Sequence, residues 1–371
     1  MPVDHGTNIS VIEVICPGDP WDETVAFFTQ KLGFRIDMIR PADDPDTMRL
    51  SGYGTQLLLV RGYSATPMLM IHCQNPEPIF GNSRQIEAPN GMLIRYTASD
   101  QMTLIPEFHQ TEPQIHAPAF ELTTPNANAA WVEGRAGMLY RDLIPSRQGG
   151  NFIASHIKIP QGGPVPDYVH YHQVRFQMIY CYKGWVRVVY EDQGSSFILE
   201  EGDCILQPPT IRHRVLECSS GLEVIEIGTP AVHETYVAHG FELPNSELNR
   251  DREFQGQKFV YHRAAEAKWL KWGSQSFQYR DTGIGAATDG LAGAQVVSAR
   301  ETGASDVFQH QSEFAFIYLL SGSMTLENGQ DGKVYHLKKD AAAVLPSGYQ
   351  HKLTESSENL QFLLATLPQH Q

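Results

Sequence analysis

The chain is short of cysteine and short of positive charge, and each shortage narrows its chemistry. It has five cysteines in 371 residues, at positions 16, 73, 181, 204 and 218, and no two form a C-x-x-C pair. An odd, scattered set argues against a disulfide framework and for a reducing compartment. Lys and Arg number 28 against 42 Asp and Glu, giving a formal net charge of −14. Nucleic acid as a general partner needs a basic face, so it is excluded, and an anionic membrane surface fares no better. No run of about 18 apolar residues occurs, so no membrane-spanning helix is expected. The opening MPVDHGTNIS lacks a basic segment followed by an apolar one, so it does not read as a secretory signal. These features predict a soluble, cytoplasmic protein with a small-molecule substrate. Hydrophobic content of 42% is enough for a large core, and at about 150 residues per domain the length suggests two or three domains.

Residues 1–130 read as an α+β module followed by loops. A strand over 11–16 meets a Pro/Gly break, and Asp22 to Leu32 then places Val25, Phe28 and Leu32 at helical spacing. Asp22 and Glu23 suit the helix start and Gly33 its end. Strands follow at 34–39, 47–51 and 56–60, giving the order β-α-β-β-β. That order, with Ala26 to Phe34, resembles one module of the vicinal-oxygen-chelate (glyoxalase-like) fold over roughly residues 8–61. Members of that fold often hold a metal with His, Gln or Glu on the first and fourth strands. Here only Glu13 is offered, so a structural or dimerising module is the expectation. Further strands are expected at 68–72 and 92–96, with Pro76, Pro78, Pro89, Pro106, Pro113 and Pro118 marking long loops.

From about 131 the pattern is short strands separated by Gly and Pro turns, as in a barrel or sandwich. It repeats. His172 matches His310, Gly184 matches Gly322, Pro208 matches Pro346 and His213 matches His351, each pair 138 residues apart. Tyr-Arg-Asp at 140 recurs at 279, one residue out of step. A constant offset over four landmarks means two copies of one unit. The boundaries predicted are 131–259 for the first copy and 260–371 for the second.

The first copy carries the chemistry. His170 and His172 are two apart on a strand, so they share a face and can bind one ion. His213 lies beyond the Gly202-Asp203 turn and the Pro208-Pro209 break, on a strand that must return beside them. Spaced as they are with position 177, Gly184, Gly202 and Pro208, these residues resemble the two cupin motifs. The resemblance implies two tandem double-stranded β-helix (cupin) barrels, mainly β, preceded by the βαβββ module. It also implies one divalent transition metal on His170, His172 and His213. Fe is the first choice, with Mn, Ni, Cu or Zn as options, and a homodimer is expected. Two positions depart from the motifs. Gln177 stands where cupins have a Glu ligand, and Thr210 stands where they have a second Gly. Gln177 is expected on or near the metal as a neutral, weaker donor.

The second copy keeps only His310 and His351 of the ligand set, since the other positions are Phe308 and Ala315. It is expected to be structural. His156, Arg175, Arg187 and Tyr190 are candidates to line the first barrel's pocket. Arg141 and Arg147 are expected in salt bridges, and Cys181 and Cys204 in the core. Three functions fit. The first is an Fe(II)-type dioxygenase acting on a chelating phenol, enol or diketone, by architectural analogy with gentisate-type bicupins. The second is a redox-neutral metal-dependent isomerase, lyase, dehydratase or decarboxylase. The third is a non-catalytic binding bicupin.

Overall fold

The computed structural model describes residues 9–64, 68–73, 83–87, 93–97, 118–124 and 131–368. They divide into two compact units. One takes the described residues up to 97 together with Glu234–His239, and the other takes the rest.

The first unit opens with the expected β-α-β-β-β order. Strand Ile9–Pro17 leads to helix Trp21–Ala26, then strands Arg35–Arg40, Thr47–Gly52 and Thr55–Val60. The first and fourth strands pair in parallel, and the second, third and fourth form an antiparallel run. The helix departs from its sequence pattern at the end. Phe27–Lys31 forms a π turn, closed by the Leu32 N–H donating to the Phe27 carbonyl at 3.1 Å. That wider turn shifts the helical phase. Val25 and Phe28 pack on the sheet as expected, while Leu32 is left 36% exposed. The expected strands after residue 62 are present at Met68–Cys73 and Leu93–Thr97. Of the proline loops, Pro76, Pro78, Pro89, Pro106 and Pro113 lie outside the described residues.

The second unit is two tandem β-barrels. In the first, strands 132–133, 139–142, 153–159, 222–229, 176–183, 204–206 and 260–262 are neighbours in that order. Facing them are strands 197–200, 185–190, 213–218 and 170–172. The second barrel repeats the plan. Strands 270–271, 277–281, 293–299, 361–368, 312–321, 342–345 and 121–123 form one sheet, and 308–309, 350–354, 323–328 and 334–338 the other. Two edges cross the boundaries drawn from sequence. Val260–His262, beyond residue 259, pairs with Cys204–Leu206 of the first barrel. Glu121–Thr123, before residue 131, pairs with Ala342–Val344 of the second. Each short strand covers an edge that would otherwise expose its backbone groups.

Strand alternation explains how the barrels pack. On strand Phe176–Lys183, Phe176, Met178 and Tyr180 face the other barrel, where they meet Phe314, Phe316 and Tyr318. These are their own counterparts at the 138-residue offset. Phe152 stacks on Phe314 with centroids 4.2 Å apart. All of these side chains are buried, and each such burial contributes about 2 kcal/mol. Two equivalent pairs touch each other directly. Arg175 Nη1 donates to Glu313 Oε2 at 3.0 Å, and the Tyr182 hydroxyl lies 3.5 Å from the Leu320 carbonyl. Residues that touch their own counterparts lie beside the local two-fold axis relating the copies. The alternate residues Gln177, Ile179 and Cys181 point into the first barrel, and that interior holds the candidate site.

Candidate metal centre

His170 and His172 occupy the two ends of the strand His170–His172, with Tyr171 turned the other way. His213 opens strand His213–Cys218 and stands opposite His170 in register. The ring centroids are 5.1 Å (170–172), 4.2 Å (170–213) and 5.2 Å (172–213) apart. One ligand atom from each lies within 4.8 Å of the others, and all three side chains are buried. Among the described residues this is the one cluster of three His, Cys, Asp or Glu groups that closes on a common point.

The donor chemistry fits a metal. His170 Nδ1 lies 2.8 Å from the Tyr168 carbonyl and His213 Nδ1 lies 3.0 Å from the Ile211 carbonyl. A carbonyl only accepts, so each Nδ1 carries the proton and each Nε2 keeps its lone pair. Asp167 adds a buried carboxylate beside the first of these. Its Oδ1 lies 3.7 Å from His170 Nδ1, and its Oδ2 accepts from the Val215 N–H at 2.9 Å. Such outer partners fix ring orientation and tautomer. The turn that carries the chain into His213 is strained. Thr210 sits at φ +64°, and its N–H donates to the His172 carbonyl at 3.0 Å. That left-handed conformation is costly for a β-branched residue, of order 1–3 kcal/mol. It accounts for the glycine that the cupin motif has there.

Gln177 belongs to a chain of polar groups whose direction is fixed at one end. The Glu226 carboxylate accepts from Gln177 Nε2 at 2.8 Å. The Gln177 amide oxygen therefore faces Gln207, accepting from its Nε2 at 2.9 Å. Gln207 Oε1 in turn accepts the Tyr190 hydroxyl at 2.6 Å. Tyr190, one of the residues expected to line the pocket, stacks on His213 with centroids 5.2 Å apart. Burial first, then the charges of Glu226 and Asp167, push its phenol pKa up and keep it neutral.

Two other pocket candidates lie elsewhere. His156 shares the outward strand face of Ala154. Its Nδ1 faces Arg141 at 2.9 Å, its Nε2 faces Glu223 at 2.8 Å, and Trp131 stands edge-on to its ring. Burial and the Arg141 charge lower its pKa, outweighing Glu223, so it is a neutral packing residue. Arg175 is engaged by Glu313 of the other barrel. Arg187 alternates with the inward Val186 and Val188, and lies 3.5 Å from Glu217. Arg141 pairs with His156 and Arg147 with Asp142. Cys181 and Cys204 are buried thiols, both pushed up to about 12, mainly by burial.

The sequence reading missed Asp167, Gln207, Glu226 and His233. His233 stands edge-on to His172 at 5.5 Å, with Nδ1 2.9 Å from the Pro230 carbonyl. Glu226 had a usable signal, because it shares strand parity with the inward Val224. His233 and Asp167 lie on loops, where no periodicity marks direction.

Among the described residues the second barrel has no such centre. Phe308 stands opposite His351, as His170 stands opposite His213. Its ring packs on Trp272 at 4.5 Å, and Ala315 joins the apolar core. Burial lowers the pKa of both His310 and His351. In the first unit, both carboxylate oxygens of Glu13 are engaged, one by Arg49 and one by His72 Nε2 at 2.9 Å. Burial raises the Glu13 pKa, but these two partners outweigh it and bring it down.

No curated protein matches the chain in sequence. Several solved structures of Bacillus subtilis oxalate decarboxylase are similar to it. A serine-to-alanine variant is 16% identical, covers 67% of this chain and 77% of its own, and has a TM-score of 0.49. One from work on the Mn(II) centres of that enzyme is 16% identical, with coverage of 63% and 74% and a TM-score of 0.46. The enzyme at pH 4.6 is 16% identical, with coverage of 63% and 72% and a TM-score of 0.45. At this distance the likeness says nothing of substrate or metal. Residues 155–227, which include all three clustered histidines, match the family model of the cupin domain.

Proposed function

We propose that the chain is a redox-neutral, metal-dependent enzyme of lyase or isomerase type, acting on a small carbonyl- or enol-bearing substrate inside the first barrel. The observation that carries this reading is the donor set: three buried imidazoles, two of them held neutral by backbone carbonyls. A divalent ion held by His170, His172 and His213 would supply Lewis-acid polarisation of a substrate oxygen. Neutral donors leave the full charge of a divalent ion in place, which suits that polarising role, and Fe has no advantage here over Mn, Ni, Cu or Zn.

In this reading Gln177 is a positioning residue. Its amide oxygen faces Gln207 and its amide nitrogen faces Glu226, so it orients a carboxylate in the barrel instead of serving as a fourth ligand. Tyr190, kept neutral, stacks its ring on His213 and donates its hydroxyl proton to Gln207, bracing the polar chain beside the histidines. The β-α-β-β-β order and the parallel first and fourth strands support a glyoxalase-like origin for the N-terminal module, in a structural role. Unpaired thiols at Cys16, Cys181, Cys204 and Cys218 support a reducing compartment.

The test is oxygen consumption by protein loaded separately with each metal, on a panel of 2-oxo acids, enols, diketones and phenols. Turnover without oxygen uptake is expected. Turnover that consumes oxygen in proportion to product would return the dioxygenase reading.

A further inference from the structure

A cavity of about 550 Å³ opens on the side of the first barrel, lined by Gln193, Ser195, Phe197, Arg250, Phe259 and Tyr261. Its volume is in the range of small-molecule sites. Three of its six lining residues are aromatic, and they form a fixed corner. Phe197 stacks on Tyr261 with centroids 4.4 Å apart and planes at 27°. Phe259 stands edge-on to Phe197, at 6.3 Å and 68°. The corner is braced from behind. The Tyr261 hydroxyl donates to the Ile198 carbonyl at 2.6 Å, and Phe259 rests on Tyr190 at 4.8 Å.

The charge at the rim is uncompensated. The nearby carboxylates Glu191 and Asp192 are already taken. Arg212 and Arg252 both reach Glu191 at 2.9 Å, Arg252 also reaches Asp192 at 2.9 Å, and Asn245 donates to Asp192 at 2.6 Å. Arg250 pairs with no carboxylate among the described residues. Gly194 turns at φ +88°, and a Cβ there would lie 3.1 Å from the Leu248 side chain and 3.9 Å from the Arg250 guanidinium, so the hairpin tip and the 248–250 segment lie close together beside the cavity.

We propose that this cavity binds a planar aromatic anion of the aryl carboxylate class, at a site separate from the three histidines. The ring lies in the corner of Phe197, Phe259 and Tyr261. The carboxylate pairs with Arg250, and the Gln193 amide and Ser195 hydroxyl are further donors at the rim. An acidic chain has few places where an anion is welcome, and here a cation stands unopposed beside aromatic surface.

The experiment is calorimetric titration of metal-free protein with 2-naphthoate and with neutral 2-naphthylmethanol. Wild type is expected to bind naphthoate better than the alcohol. Arg250→Ala should weaken naphthoate about two- to fivefold, the range for one exposed charge pair, and leave the alcohol unchanged. Phe259→Leu should weaken both. His172→Ala should bind naphthoate like wild type, which makes the result independent of the function proposed above. No binding to wild type at millimolar ligand overturns the proposal. So does unchanged affinity in Arg250→Ala, or loss of binding in His172→Ala, which would move the anion to the three-histidine centre.

Discussion

At the place of His170 in the first barrel the second barrel has Phe308, and each stands opposite a histidine, His213 or His351. The strand pairing is the same, so the difference lies in side chains alone. Around the first pair the interior is polar, with Gln177, Gln207, Glu226 and Tyr190 joined end to end. Around the second it is apolar, with Trp272, Ala315, Leu326 and Leu353 in one core. The turns diverge in a reciprocal way. The first barrel has Gly202 at φ +90° and Thr210 at φ +64°, while the second has Asp340 at φ +69° and Gly348 at φ +74°. Each copy thus keeps a glycine at one left-handed position and bears strain at the other. In the first, the strained residue is bonded to the strand of His170 and His172. In the second, Asp340 accepts the hydroxyl of Tyr318 within its own barrel and that of Tyr182 across the barrel contact. One backbone plan supports a site in one copy and an interface in the other.

The largest effect should separate the copies outright. His213→Ala removes a donor from the cluster and should lower metal affinity more than about 100-fold, beyond the 10–100-fold typical of losing an outer partner. His351→Ala should leave metal content unchanged. Elemental analysis of both variants decides this, and equal loss in both would erase the distinction between the barrels.

The converse substitution tries to undo the difference. Phe308→His places an imidazole opposite His351 and two residues from His310, rebuilding the His-x-His pair. Metal content should rise toward two ions per chain, with the second held more weakly because Ala315 and Trp272 keep that interior dry. No gain would show that the apolar filling, and not the missing ligand, silences the second barrel.

How far the sequence carries the site follows from the same comparison. The histidine cluster was legible because a strand has period two and because the repeat showed which histidines lack partners in the sister copy. Short strands and turns marked a barrel or sandwich, and the constant offset divided it into two copies. The face of His156 was not, because Phe152 to Lys158 is apolar on both sides and gives no in-or-out signal. Arg175 was misread for a different reason. Its partner Glu313 lies in the other barrel, and a contact across the local axis leaves no local pattern. The exchanged edges at 121–123 and 260–262 escaped because short strands outside a repeat carry almost no periodicity. The π turn at 27–31 needs one extra residue per turn, which the spacing of Val25, Phe28 and Leu32 does not reveal.

A smaller effect concerns pH. Burial holds His310 and His351 below their ordinary pKa of about 6.5. The unfolded chain therefore binds more protons than the folded one once the pH falls through 6.5. The stability these neutral rings contribute is full above that value and is lost as the pH falls toward their folded values, by at most about 1.4 kcal/mol per pH unit for each ring. With metal removed, urea midpoints at pH 7.5 and 5.5 should fall more for wild type than for His351→Phe. Equal falls would mean that the second barrel takes up no proton there.

The smallest effect probes the axis between the copies. Arg175 and Glu313 are equivalent positions that touch, each about three-quarters buried. In a symmetric pair of identical barrels, a residue at this place would meet itself, and two like charges would repel. Joining the copies in one chain allows opposite charges there. Arg175→Ala or Glu313→Ala should each cost about 1 kcal/mol, the upper end for a partly exposed pair. The exchange Arg175→Glu with Glu313→Arg should recover most of that if the surroundings are still symmetric. They are not quite symmetric, because Gln257 donates to the Arg175 carbonyl at 2.7 Å from a segment beyond the first barrel's repeat. A double-mutant cycle measured by urea unfolding separates the two contributions. Full recovery in the exchanged chain means that only the sign of each charge differs between the barrels at the axis. A shortfall measures how far the two sides of the contact have grown apart, at a place where each barrel touches its own counterpart through charge.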